Sequence, residues 1–243
     1  MFRGGGPLGE DIIGFIGVES GFGRKTVTGA PFTASFSQQV TETLGDGNHI
    51  QRTTTGTMAR DGNGRTYRDL TLPAIGPWAT SETTPPHVVL INDPVAGMDY
   101  VLEANRKVAE EFPAPAPGKG RKGQGGPPPF VQERQNEATT VSLGTQMVNG
   151  ISAQGTRTTR TIPAGAIGNE KAIVITVERW YSPDLQINVL IKRSDPRTGD
   201  NVFQLTNIAR SEPEATLFQV PSDYTMKQGG GKFARKGGPP PAP

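Results

Sequence analysis

Few residues of this chain carry chemistry of their own, and their spacing narrows it further. Gly118-Lys119-Gly120-Arg121-Lys122-Gly123 has the G-x-G-x-x-G spelling of a dinucleotide loop, whose glycines let backbone approach a pyrophosphate at a helix N-terminus. Here it lies between proline runs, with no strand before it and no helix after, so composition accounts for the match. The two imidazoles are His49, beside a hairpin turn, and His87, at a strand start after Pro85-Pro86. A solvent-facing polar residue needs no special role at either place. Without G-x-S-x-G, H-E-x-x-H or clustered histidines, neither a serine triad nor a zinc site is supported. Asp46, Asn48, Asp61 and Asn63 are oxygen donors that would share a calcium ion only if their turns met, and turn-forming Asx residues explain them better. Trp180-Tyr181 at a strand end reads either as the floor of an apolar groove or, more simply, as a core anchor.

Composition closes other routes. Cysteine is absent, which removes disulfides, thiol nucleophiles, haem attachment and cysteine-based zinc together. The net charge of +2 over 243 residues is no footprint of sequence-specific nucleic-acid binding. No apolar run reaches the ~18 residues of a membrane span, and no signal peptide opens the chain, so it reads as cytosolic or as an already processed form. No cofactor is expected, and the chain reads as a non-enzyme.

The elements that would position these residues are strands. Ile173, Ile175 and Val177, then Leu185, Ile187, Val189 and Ile191, then Phe203 and Leu205 recur at every second position, which predicts a three-stranded meander. Its second turn, Asp195-Pro196-Arg197-Thr198-Gly199, has Pro to fix φ early and Gly to take a positive φ late. Upstream, strands are predicted over 32–44, 49–60, 65–72, 88–92, 98–103, 138–147 and 151–162, the first three joined by Asp-Gly turns. Asp93-Pro94-Val95-Ala96-Gly97 repeats the later turn's chemistry without implying a duplicated domain.

Three segments break the pattern. Residues 112–136 alternate Pro and Gly, a polyproline-like excursion across which the sheet must close, and the 227–243 tail has the same character. Their basic residues, Lys119, Arg121, Lys122, Lys232, Arg235 and Lys236, are either solvated or adhesive toward a polyanion or cell surface. Residues 1–25 contain one apolar stretch, Ile12, Ile13, Phe15, Ile16 and Val18, which as a strand is apolar on both faces and has no hairpin partner nearby. It packs on its own domain or is donated to a neighbour. The expected organisation is thus an arm over 1–25, one domain over 26–226 and the tail.

Residues 138–224 resemble the second half of the lipoprotein-carrier β-half-barrel family, LolA-like with RseB-type sensors. The matching features are Gly144 to Thr156, the strand ending Trp180-Tyr181-Ser182-Pro183-Asp184-Leu185, the D-P-x-x-G hairpin, Leu205-Thr206-Asn207-Ile208, and Leu217-Phe218-Gln219-Val220-Pro221 leading to Asp223-Tyr224. The stretch 27–224 is similar to a group of secreted bacterial proteins. The resemblance implies an all-β fold, a strongly curved antiparallel sheet with an apolar concave face, and an extracytoplasmic location.

Two functions follow as expectations. In the first, a secreted structural protein builds a homopolymeric filament: Ile12, Ile13, Phe15, Ile16 and Val18 enter a neighbour's groove walled by Ile175, Val177, Trp180, Ile187, Val189, Phe203 and Leu205. In the second, a periplasmic carrier or sensor binds an acyl chain or peptide in the concave face. A missing helical plug, aromatic content of only 7% and the Gly/Pro insertions set the chain apart from the carriers, and the partnerless strand over Ile12 to Val18 and the low-complexity arms favour the first.

Overall fold

The structure is a computed structural model and describes residues 26–71, 85, 87–114 and 138–229. All its strands belong to one open 12-stranded sheet. In chain order they are β1 (Phe32–Thr43), β2 (His49–Arg60), β3 (Thr66–Thr71), β4 (His87–Asp93), β5 (Met98–Glu103), β6 (Val108–Pro113), β7 (Ala138–Val148), β8 (Ile151–Ile162), β9 (Ile173–Ser182), β10 (Ile187–Asp195), β11 (Gly199–Ala209) and β12 (Thr225–Gln228). Neighbours run β12-β6-β5-β4-β3-β2-β1-β11-β10-β9-β8-β7. Two antiparallel meanders, β1 to β6 and β7 to β11, are therefore joined at β1 and β11, where Phe36 lies opposite Leu205 and Gln38 opposite Phe203.

The predicted strands are present, and the meander over β9, β10 and β11 pairs as expected. Two expectations need correcting. Phe112 and Pro113 belong to β6, which the Pro/Gly pattern had absorbed into the insertion. Nor does the sheet close across 112–136, because β6 and β7 lie toward opposite margins.

Alternation is also less uniform than a flat strand requires. On β8 the buried residues are Ile151, Ala153 and Gly155 in the first half and Ile162 at the end, a change from odd to even. On β9 Ile175 is buried, then Trp180 and Ser182, so the phase flips there too. Register shifts fall beside these positions, between Ser142 and Gly144 on β7 and between Asn188 and Leu190 on β10. An extra residue bends a strand and increases its twist. A line of such irregularities running across β7 to β10 curls this half of the sheet, and the Asn149 side chain at the β7–β8 turn reaches over to donate to the Leu205 carbonyl of β11 at 2.6 Å.

Curling gives the sheet two apolar faces. Inside, Phe32, Phe36, Met58, Leu70, Val88 and Leu90 form one cluster with Trp180, Ile187, Val189, Ile191, Phe203 and Leu205. Outside, Ala59, Val89, Ile91, Leu102 and Ala109 are covered by a strap containing a 3₁₀ turn, Ala215–Phe218, with Phe218 buried against them and the Arg65 guanidinium 5.0 Å from its ring centre.

The Asp195 turn carries the expected chemistry. Asp195 Oδ1 accepts from the Arg197 backbone N–H at 3.0 Å and from Arg197 Nε at 2.9 Å, while Gly199 takes φ +91°. Asp93 likewise accepts from the Val95 and Ala96 N–H groups, before Gly97 at φ +67°. The Arg197 side chain, first among the causes, lowers the buried Asp195 carboxyl to about 2 from an ordinary 3.8. A carboxylate depressed in the folded state stabilises fully above its unfolded pKa and loses that contribution as pH falls through the folded one. Asp195→Asn should therefore cost ~2 kcal/mol at neutral pH, and the gap to the parent should close between pH ~4 and about 2, followed by urea denaturation across that range.

Candidate functional site

The residues expected to wall an acceptor groove are brought together on the inner face. Trp180, Ile187, Val189, Phe203, Leu205 and Ile175 are buried and Val177 is half-buried. Most pack in the cluster with Phe32 and Phe36, so a strand or ligand laid on them would displace the protein's own core side chains. Trp180 is a core anchor: its ring sits over Gly155, and its indole N–H donates to Glu178 Oε1 at 2.8 Å. Tyr181 beside it is exposed. The assembly strand (Ile12, Ile13, Phe15, Ile16, Val18) and the basic arms (Lys119, Arg121, Lys122, Lys232, Arg235, Lys236) lie outside the described residues.

The Asx residues act as turn formers. Asp61, itself buried, accepts from the Asn63 and Arg65 backbone N–H groups and from Arg65 Nε at 2.6 Å, and Asp46 accepts from the Asn48 N–H. Among the described residues no group of three or more His, Cys, Asp or Glu side chains is placed to hold a metal ion.

A cleft of about 410 Å³ opens instead on the outer face, between the sheet and the strap. Val89 and Ile91 of β4 and Leu102 of β5 form its floor, and Leu217, Pro221 and Tyr224 of the strap its far wall. The floor exists because β4 is apolar at four successive positions, Val88 to Ile91, so that alternate residues serve the inner core and the outer face. Such a strand demands cover on both sides. The strap supplies part of it and leaves the cleft.

Polar groups gather at the rim. His87 Nε2 lies 2.5 Å from Asp69 Oδ1, and the Tyr67 hydroxyl donates to Asp69 Oδ2 at 3.0 Å. Register explains the triplet: His87 faces Thr71 across β3–β4 while Tyr67 and Asp69 alternate outward on β3. Burial first, then the Asp69 charge and hydrogen bond and the proximity of Tyr224, push the Tyr67 phenol well above its ordinary range. It stays a protonated donor, and the trio is a fixed hydrogen-bonding edge. Across the mouth Lys107, in a left-handed conformation at φ 52°, places Nζ 3.1 Å from Asp223 Oδ2 and 4.8 Å from the Tyr224 ring centre. Both partners of that ion pair are exposed, so it positions the mouth more than it stabilises the fold.

Sequence reasoning placed no function on Tyr67, Asp69, His87, Lys107 or the strap. The available signal was the doubly apolar run Val88 to Ile91 together with Leu217-Phe218-Gln219-Val220-Pro221, an apolar segment with no strand partner of its own.

The fold and cleft define a class: a single open, strongly curved, predominantly antiparallel sheet with an apolar cleft on its back. No protein-family model matches this chain, and no curated protein does. Solved structures similar to it include the Pseudomonas aeruginosa MucA/MucB complex, at 11% identity and TM-score 0.43, with 80% of this chain and 57% of that one covered. Others are an uncharacterized conserved protein from Thermus thermophilus (6%, TM-score 0.44, 91% and 99% covered) and a LolA superfamily protein from Nitrosomonas europaea (9%, TM-score 0.34, 78% and 90% covered). The chain thus spans little more than half the length of the MucB chain in that complex. Among the described residues no helix is long and apolar enough to cross a membrane.

Proposed function

We propose that this protein is a non-catalytic carrier or sensor, working outside the cytoplasm, that binds the apolar part of an acyl chain or peptide in the outer cleft. The cleft carries this reading. Its volume falls in the lower part of the range of small-molecule sites, and its apolar floor with a few convergent polar groups is the usual composition of one. Val89, Ile91 and Leu102 would take the apolar body of the ligand; His87, Asp69 and Lys107 would orient its polar end. The filament reading has no comparable support, because its donor residues lie outside the described structure and its acceptor wall is packed core.

Ala104 lines the cleft from the 3₁₀ turn after β5 and is not part of the apolar core. Ala104→Trp should fill the cleft, weaken binding of a fluorescent fatty acid or an apolar peptide at least ~10-fold, and leave the far-ultraviolet circular dichroism unchanged. Binding that survives the substitution would place the ligand elsewhere, and an absence of binding by either probe to the parent would sink the carrier reading.

A further inference from the structure

Among the described residues that line the outer cleft, Asp69 is the one carboxylate and Lys107 the one ammonium, and the two are placed differently. Asp69 accepts from the Tyr67 hydroxyl at 3.0 Å and lies 2.5 Å from His87 Nε2, with no lysine or arginine of the described residues paired to it. Lys107 is already matched: its Nζ lies 3.1 Å from Asp223 Oδ2 and 4.8 Å from the centre of the Tyr224 ring. Arg106, next in the chain, is matched by Glu103 at 2.8 Å. With His87 neutral, two carboxylates therefore face one ammonium, and the mouth carries surplus negative charge on a chain whose net charge is +2. An alkylammonium group is recognised by an aromatic face, and a carboxylate beside it adds a counter-charge. Here the chain's own Lys107 occupies such a place.

We propose, resting on the carrier reading above, that the ligand of this cleft is a single-chain amphiphile with a cationic ammonium head, which exchanges with the Lys107 ammonium at Tyr224 and Asp223. The chain lies on Val89, Ile91 and Leu102, and Asp69 adds negative charge at the rim. Exchange is easy on the protein's side. Lys107 and Asp223 are both more than half exposed, and an ion pair between exposed groups is weak, so the displaced lysine returns to water at little cost. An anionic head is disfavoured at the same place: it would meet Asp69, and by drawing Lys107 to itself it would leave the Asp223 charge unmatched beside it. The floor argues for an alkyl chain over a peptide. β3, β4 and β5 are each paired on both sides, so the cleft offers no free strand edge to which a peptide backbone could bond. What the floor presents is side chains, which an alkyl chain satisfies fully.

Calorimetric titration of the full chain with dodecyltrimethylammonium and with dodecanoate tests this, at low salt, below micelle-forming concentrations and at pH ~8, above the ordinary titration range of histidine. The cation should bind at least ~10-fold more tightly than the anion of equal chain length, against the sign of the protein's net charge. Lys107→Met, which removes the internal competitor, should tighten the cation at least ~3-fold and leave dodecanoate no tighter, while Asp223→Asn should weaken the cation by a similar factor. Opposite responses to the two substitutions are not what a general loosening of the strap would give. Dodecanoate binding as tightly as the cation, or Lys107→Met weakening the cation, overturns the proposal and leaves the carrier reading standing. So does binding of an apolar peptide with neither amphiphile, or cation binding that Ala104→Trp does not weaken. No binding by any of the three probes removes both.

Discussion

Replacing Gly56 by alanine should lower the unfolding free energy by about 3 kcal/mol, an unusually large loss for one methyl group. A Cβ at Gly56 would overlap the Asp69 carbonyl oxygen and lie 2.7 Å from the Phe36 ring. The ring belongs to a core cluster and the carbonyl to the neighbouring strand, in which Asp69 pairs with Thr57 of β2, so neither gives way cheaply. The damage would not stay in the core. Moving Asp69 pulls its carboxylate from His87 and Tyr67, so affinity for an apolar ligand should fall with stability. Gly45→Ala is the matched control, because an added Cβ there meets nothing within 4 Å, and its effect should stay within ~0.5 kcal/mol in the same urea titration.

Arg60→Met should cost ~3 kcal/mol although it makes the interior more apolar. The Arg60 side chain is almost wholly buried, donates from Nε and Nη2 to the Ala30 carbonyl at 3.0 and 2.8 Å, and also reaches the Leu185 carbonyl from Nη2. Its guanidinium lies 5.1 Å from the Phe32 ring centre. Burial, partly offset by Tyr181, lowers its pKa to about 10, so it remains a cation at neutral pH. Methionine matches its length but leaves two carbonyls without this donor, and an unmade buried hydrogen bond costs ~1–3 kcal/mol each. Arg60→Lys should recover less than half of the loss, since a single ammonium cannot reproduce the planar fork that spans both acceptors. Thermal and urea unfolding of the two variants give the comparison; equal stability of parent and Met variant would mean the fork is dispensable.

Local pattern made most of the strands legible. The alternations in β9 to β11, the Asp-Gly and Asp-Pro turns and the threonine-rich strands each declare themselves within a few residues, and each pairing within a meander is local. The β1–β11 pairing is different. Gln38 bonds to Asn201 and Ser35 to Asn207, pairs 163 and 172 positions apart, and no short-range feature of β1 names β11 as its neighbour. β6 is hidden for another reason: its outer side is covered only by the four residues of β12, Pro113 lies beyond that pairing where proline is tolerated, and Glu110, Glu111 and Pro113 together read as loop by composition. The cleft was obscured because His87, Asp69 and Tyr67 come from two strands and meet only through register. His87 viewed alone is a polar residue after two prolines; opposite β3 it becomes one end of a hydrogen-bonded edge.

The order of the strands also bears on how the chain reaches this structure. Each meander is assembled from contacts between neighbours in sequence, and such contacts form early because little chain must be closed to make them. Joining β1 to β11 requires closing a loop that contains nearly everything else. That pairing closes the longest loop in the sheet, so its contacts, with Phe36 stacking on Phe203 at a centroid distance of 6.0 Å where the halves meet, are expected to form late, and Phe203→Leu should speed unfolding more than it slows folding in a stopped-flow urea series.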